Sequence, residues 1–158
     1  MLKYFILGTS FSVMSWILGM ILNSILARTQ YYEKLSHLNF MTNPRLNSLI
    51  GLDAFKWIVK NTPFKFFNPK LNLKAKAGMT ELDNLRKEMT FAEVSHLIAF
   101  IAVSVFPIIK IANAEFLPAL AMMIPNILLN LYPSLLQQQN KRRIDRFKAI
   151  MVRRNQSR

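Results

Sequence analysis

The chain has 158 residues, and 21 Lys and Arg against 8 Asp and Glu leave a formal net charge of +13. The length suits one domain, and a composition 52% apolar but only 18% charged argues against a large water-soluble α/β enzyme and points to a membrane before nucleic acid. Cysteine is absent, which excludes a disulfide framework, a thiol nucleophile and a Cys-ligated metal site.

The first element is an uncharged run from Tyr4 to Ala27, long enough to cross a hydrocarbon core, which takes about 20 apolar residues. Lys3 ahead of it also fits a cleaved signal peptide. The apolar region is too long for one, however, and cleavage after Ala27 would leave bulky Ile25 at the −3 position. A retained helix is the better reading. Gly8, Ser12, Ser15 and Gly19 form a small-residue stripe that lets another helix approach closely, and Asn23 lies one turn before the end of the run.

Residues 28–90 form a basic segment with eleven Lys and Arg between Arg28 and Lys87. Within it, residues 48–60 place Leu49, Leu52, Phe55 and Val59 on one helical face, which predicts an interfacial amphipathic helix. The next stretch, NTPFKFFNPKLNLK, sets Phe64, Phe66 and Phe67 among Lys60, Lys65 and Lys70, with Pro63 and Pro69 at turn positions. It fits either a loop resting at headgroup level or one that contacts substrate. From Thr80, TELDNLRKEM reads as a helix with a capping-box-like Thr80 and Asp83 and an apolar face of Leu82, Leu85 and Met89. This helix is expected to run into the second span.

The second and third spans, 91–109 and 116–136, contain no Lys or Arg. Pro118, Pro125 and Pro133 interrupt the third span. Each removes an amide donor and frees a carbonyl that must be satisfied inside the protein or by water. A kinked helix beside polar side chains is expected to make a pocket. The tail, 137–158, holds eight Lys and Arg from Lys141 to Arg158. Its sequence KRRIDRFKAIMVRR sets Ile144, Phe147 and Ile150 or Met151 on one side, as an interfacial helix along the inner surface would.

These elements define the expected fold class: an all-α integral membrane protein, a single domain over 1–158, with three transmembrane helices. The positive-inside rule puts the N-terminus and the turn near Asn113 outside, and the basic segment and tail in the cytoplasm. The basic residues then serve topology and attraction to anionic lipid, so nucleic acid is not an expected partner. The expected location is a bacterial cell membrane.

An ionisable group at the centre of a span costs roughly 2.5 to 3.5 kcal/mol, so each one calls for a reason. Glu93 and His96, spaced i, i+3, share a face of the second helix near its cytoplasmic end. Asn126 and Asn130 are spaced i, i+4 on the third helix, and Gln137, Asn140 and Arg143 continue that stripe. With a rise of about 1.5 Å per residue, Asn23, Glu93, His96, Asn130 and Gln137 fit one layer near the inner interface. Glu93 and His96 could instead cap the helix at headgroup level, and the amides could simply bond helix to helix. A metal is not expected, because Glu93 and His96 offer two ligands and the other histidine, His37, lies in the basic segment.

A neutral His beside a carboxylate can take a proton from an alcohol. Neighbouring amides can bind a tetrahedral oxyanion, and Lys141, Arg142 and Arg143 suit the phosphates of a cytosolic thioester. The pattern fits acyl transfer from acyl-CoA or a similar thioester to a membrane-held hydroxyl, with no cofactor beyond that co-substrate.

At these residues the chain resembles a known family. FAEVSHLIAF and NLYPSLLQQQNKRRI are similar to the glycosyl-4,4'-diaponeurosporenoate acyltransferases, small membrane proteins of bacterial carotenoid biosynthesis, and WIVKNTPFKFFNPKLN is similar more loosely. The likeness covers about the last two thirds of the chain. It implies esterification of a sugar hydroxyl on a glycosylated carotenoid. It also implies His96 as base, Glu93 as its orienting partner, and Asn130, Gln137, Asn140 and Arg143 as the polar binding set, to which position adds Asn126 and Asn23. Leu97 stands where that family often has an aromatic residue, and Gln139 and Arg142 replace its Tyr and Pro. These departures bear on the acceptor, which could be another glycolipid, more than on the fold. The competing class is a non-enzymatic membrane subunit that binds lipid or a partner helix. Three spans also make a homo-oligomer or other enzymes of the pathway expected partners.

Overall fold

In a hydrocarbon environment every backbone N–H and C=O must be satisfied within its own element, so long apolar runs fold as helices. A computed structural model describes residues 1–40, 43–62 and 78–156. The aromatic-basic stretch from Pro63 to Lys74 therefore lies outside the described residues. The elements are α1 (Leu2–Leu26), α2 (Tyr32–Ser36), α3 (Pro44–Leu49), α4 (Leu52–Asn61), α5 (Met79–Ala112) and α6 (Phe116–Asn126). A π-helical segment (Ile127–Leu131) then leads without a break into α7 (Tyr132–Gln156). There is no strand among the described residues. Three helices are long and apolar enough to cross a membrane: α1, α5 and the continuous helix Phe116–Gln156.

Side chains fix their directions. Gly19 of α1 meets Ser95 of α5 and Phe11 stacks on Phe106 with ring centroids 4.6 Å apart, so α1 and α5 are antiparallel. Gly8 lies against Met122 and Ser15 bonds Asn130, so α1 runs in the same direction as the third helix. The predicted small-residue stripe is the packed face of α1: Gly8, Ser12, Ser15, Gly19 and Asn23 are its buried residues. Its large apolar side chains, among them Ile6, Met14, Ile17 and Ile21, point outward, as a face turned to lipid requires.

Two elements extend beyond the expected spans. α5 begins at Met79, so the helix predicted from Thr80 does run into the second span. Gly78 is its N-cap, with no side-chain capping bond, and Asp83 pairs with Lys148 rather than closing a capping box on Thr80. The tail likewise continues the third helix. Its apolar side does not lie on an inner surface: Ile144 is fully buried against Leu82 and Met89, with Leu85, Phe147 and Met151 around them. Arg86–Asp145, at 2.7 Å, and Lys148–Asp83 flank this contact. Ile144, Phe147 and Met151 share one side of α7 because that side packs on the apolar face of α5.

The amphipathic helix expected over 48–60 is broken. Gly51 adopts a left-handed conformation (φ 77°) that favours glycine, which ends α3 at Leu49 and starts α4 at Leu52. Leu52 and Val59 are buried and Phe55 is half-buried, whereas Leu49, on the far side of the break, is 83% exposed. α4 packs along α7 through an edge-on contact between Phe55 and Tyr132, 5.3 Å between centroids.

Candidate functional site

Pro133 supplies the local cause of the site. It has no N–H, so the carbonyl of Leu129, four residues back, has no α-helical donor. That carbonyl accepts from the indole Nε1 of Trp16 at 3.3 Å, and the same N–H is shared with Oδ1 of Asn130 at 3.0 Å. The freed carbonyl is thus satisfied from a neighbouring helix, and the π-helical segment between Pro125 and Pro133 absorbs the distortion. Trp16 is in turn pinned, its ring edge-on to His96 at 5.9 Å.

Asn130 is the hub. Its Nδ2 donates to Oδ1 of Asn126 at 2.9 Å and to Oγ of Ser15 at 3.3 Å. Its Oδ1 accepts from Trp16 and faces His96. An amide has two hydrogens and two lone pairs, so this group is fully committed. The same holds for the donors of Asn126, which go to the Phe100 carbonyl and Ser104 Oγ, both at 3.1 Å. Those of Asn23 go to the Phe91 carbonyl at 2.8 Å and Ser95 Oγ at 2.9 Å. These three amides lock the three long helices together. They form a ladder along the bundle, and the expected layer does not hold for Asn23 and Asn130: Asn130 bonds Ser15, which lies eight residues, about 12 Å, before Asn23 on α1.

Glu93 and His96 share a helix face but meet different partners. The Glu93 carboxylate is fully buried and pairs with the buried ammonium of Lys141, with the Gln138 amide also facing it. Lys141 donates as well to the Ser36 carbonyl at 2.8 Å, tying α2 to the bundle. Lys141 is therefore not available at the surface for a phosphate. Asn140 Nδ2 contacts Oε1 of Gln137 at 3.4 Å. Arg143 is exposed, and Arg142 bonds Asn39.

His96 borders a cavity of about 670 Å³. Past the π-helical segment α1 and the third helix part company. The space between them has α5 as its floor (Phe91, Ala92, Ser95, His96) and the apolar face of α4 (Phe55, Ile58, Val59) as its cover. Trp16 and Met20 close one side, and Leu128, Pro133, Leu136 and Gln137 the other. The wall is apolar apart from Ser95, His96 and Gln137. Glu93, Asn23, Asn126, Asn130, Asn140 and Arg143 do not line it. No group of three or more His, Asp or Glu able to hold a metal occurs among the described residues.

A helical bundle with three potential spans and an apolar cavity bordered by one histidine has the makeup of a small membrane protein. Residues 28–150, most of the chain, match the sequence profile of the glycosyl-4,4'-diaponeurosporenoate acyltransferases, and the chain belongs to that family, acyltransferases of carotenoid biosynthesis. No individually curated protein and no solved structure matches it. α1 lies outside the matched range, yet it contributes Trp16 and Met20 to the cavity.

Proposed function

We propose that this protein esterifies a hydroxyl of a membrane-held acceptor, the sugar of a glycosylated carotenoid, with a fatty acyl chain carried as an acyl thioester such as acyl-CoA. The observation that carries this reading is a single histidine, packed edge-on with Trp16, on the wall of an apolar cavity between the three long helices.

Neutral His96 takes the proton of the acceptor hydroxyl as its oxygen attacks the thioester carbonyl. A C–O bond forms, and the tetrahedral oxyanion collapses with cleavage of the C–S bond. The imidazolium then returns the proton to the departing thiolate, so the products are the ester and the free thiol. Asn130 acts as a positioning residue: its Oδ1 holds the Trp16 indole that packs on the His96 ring, and it has no donor left for an oxyanion. Gln137 is the better candidate for that task, since its Oε1 is occupied by Asn140 and its N–H groups remain. Glu93 positions α5 against α7 through Lys141, Asn140 holds the Gln137 amide, and exposed Arg143 lies on the approach from the cytoplasmic side. Asn23 and Asn126 keep the helices in register.

The test is lipid mass spectrometry of membranes from a host that makes the glycosylated carotenoid, with the intact chain, with His96→Gln and with neither. An acylated pigment should appear with the intact chain and fall by about a hundredfold or more in the variant at equal membrane level, the scale expected for loss of a general base. Equal product from His96→Gln would overturn the assignment. Absence of product from the intact chain would favour a non-enzymatic subunit.

A further inference from the structure

α4 and α7 bring three cations together at the cytoplasmic side of the cavity. Lys56 Nζ donates to Oε1 of Gln139 at 3.1 Å, and the phenol of Tyr132 bonds the Ile50 carbonyl. Together with the Phe55–Tyr132 contact, these bonds run α4 alongside α7 in the same direction. Lys60 stands one turn beyond Lys56, and Arg143 one turn beyond Gln139, so the three charges face one another. Burial, then the charges of Arg143 and Lys60, hold the Lys56 amine below the ordinary lysine range, and Asp53, one turn back on α4, offsets only part of this. Arg86, Lys110, Lys141 and Lys148 are engaged in ion pairs. Lys56, Lys60 and Arg143 join none of them. Like charges gathered at this spacing repel, and a bound polyanion would relieve that repulsion.

The trio is also placed at a useful distance. Its α4 members alternate with Phe55 and Val59, which cover the cavity. From Asn130, beside His96, to Arg143 is thirteen residues, or about 20 Å along the helix. That span is comparable with the reach of an extended pantetheine arm from its thiol to its phosphates, and much longer than the single bond that separates carbonyl from phosphate in an acyl phosphate.

We propose that Lys56, Lys60 and Arg143 form a clamp for the phosphates of the acyl donor, a pantetheine thioester of the coenzyme A type whose arm passes under α4 to present its carbonyl at His96. This rests on the acyl-transfer reading but is tested by binding alone, without turnover. The protein in nanodiscs of neutral lipid is titrated with a long-chain acyl-CoA and with the matching S-acyl-pantetheine, which lacks the phosphates. The intact chain should bind acyl-CoA about tenfold or more tightly than the pantetheine ester. The triple variant Lys56→Gln, Lys60→Gln, Arg143→Gln should erase that preference and leave pantetheine-ester binding unchanged. A charge-keeping variant, Lys56→Arg with Lys60→Arg, should restore it.

Equal weakening of both ligands would mean damage to α4 and overturn the clamp, as would undiminished acyl-CoA binding by the triple variant. The cluster would instead be a lipid-headgroup site if the substitutions changed only retention of anionic lipid in discs that contain it, and the proposal would fail. An intact chain that prefers acyl-CoA in this way but acylates no glycosylated carotenoid would keep the clamp and sink the acceptor assignment.

Discussion

At the scale of single residues, the Glu93–Lys141 pair carries the largest energetic stake. Both groups are almost wholly buried, so removing one partner leaves an uncompensated charge, typically a loss of about 3–5 kcal/mol. Lys141→Met should lower the unfolding free energy in detergent by that measure, and adding Glu93→Gln should recover much of it. A single variant as stable as the parent would show that water or another cation already serves Glu93. The buried ionisable and amide residues of the spans were legible in the sequence because each stands out in an apolar run, where a polar group is costly. Their partners were not. Lys141, Arg142 and Arg143 are consecutive cations, and which of them turns inward depends on the rotational phase of α7, a property of the whole third helix. Trp16 reads as one more apolar residue of the first span. The only signal for it was the carbonyl that Pro133 frees, which says that a donor is needed but not where it comes from.

At the scale of elements, close approach of backbones decides the packing of α1. A Cβ on Gly19 would strike the backbone carbonyl of Ser95, and one on Gly8 would come within 2.7 Å of the Met122 Cα. Neither obstacle is the end of a flexible side chain. Gly19→Ala should therefore push α1 off α5, loosen both Asn23 bonds and cost on the order of 1–3 kcal/mol, the usual range for overpacking. Because the chain lacks cysteine, a pair introduced at Phe11 and Phe106 can report it: cross-linking should be efficient in the parent and weak with Gly19→Ala. Undisturbed cross-linking would mean that α1 can shift at no cost. The existence of the long helices and the small-residue face were readable from composition and spacing. Two features were hidden because local periodicity does not encode them. One is the break at Gly51, where an apolar face continues in sequence across a residue whose backbone turns left-handed. The other is the tail, whose apolar side fits a lipid surface as well as it fits α5.

At the scale of the whole molecule, the structure puts the start of α1 at the same end as the α5–α6 turn, where Lys110 sits over the ring of Tyr4 at 5.3 Å and pairs with Glu115 at 3.0 Å. The N-terminus and that turn therefore share one side of the bundle, and the distribution of positive charge alone leads to the expectation that this side faces out. Single cysteines at Lys3 and Asn113 should react with a membrane-impermeant maleimide added outside intact cells, whereas cysteines at His37 and Gln156 should react only after the membrane is opened. The reverse pattern would invert the topology and place the cation cluster outside the cell. The bundle is also unequal along its length. Asn126 and Asn130 tie the three long helices together beyond the cavity, whereas at the level of the cavity Asn23 ties only α1 to α5, which leaves the third helix apart from α1 there.

The π-helical segment has a consequence for insertions and deletions. A π turn amounts to one residue added to an α-helix, and reverting it would rotate everything beyond it by about 100°. Gln137 would leave the cavity, Lys141 would turn away from Glu93, and Ile144 would swing out from Leu82 and Met89. One surplus residue among Ile127–Leu131 therefore sets the phase of both the cavity wall and the contact between α7 and the start of α5. Among relatives, loss of that residue is expected only with a compensating change of register further along the same helix.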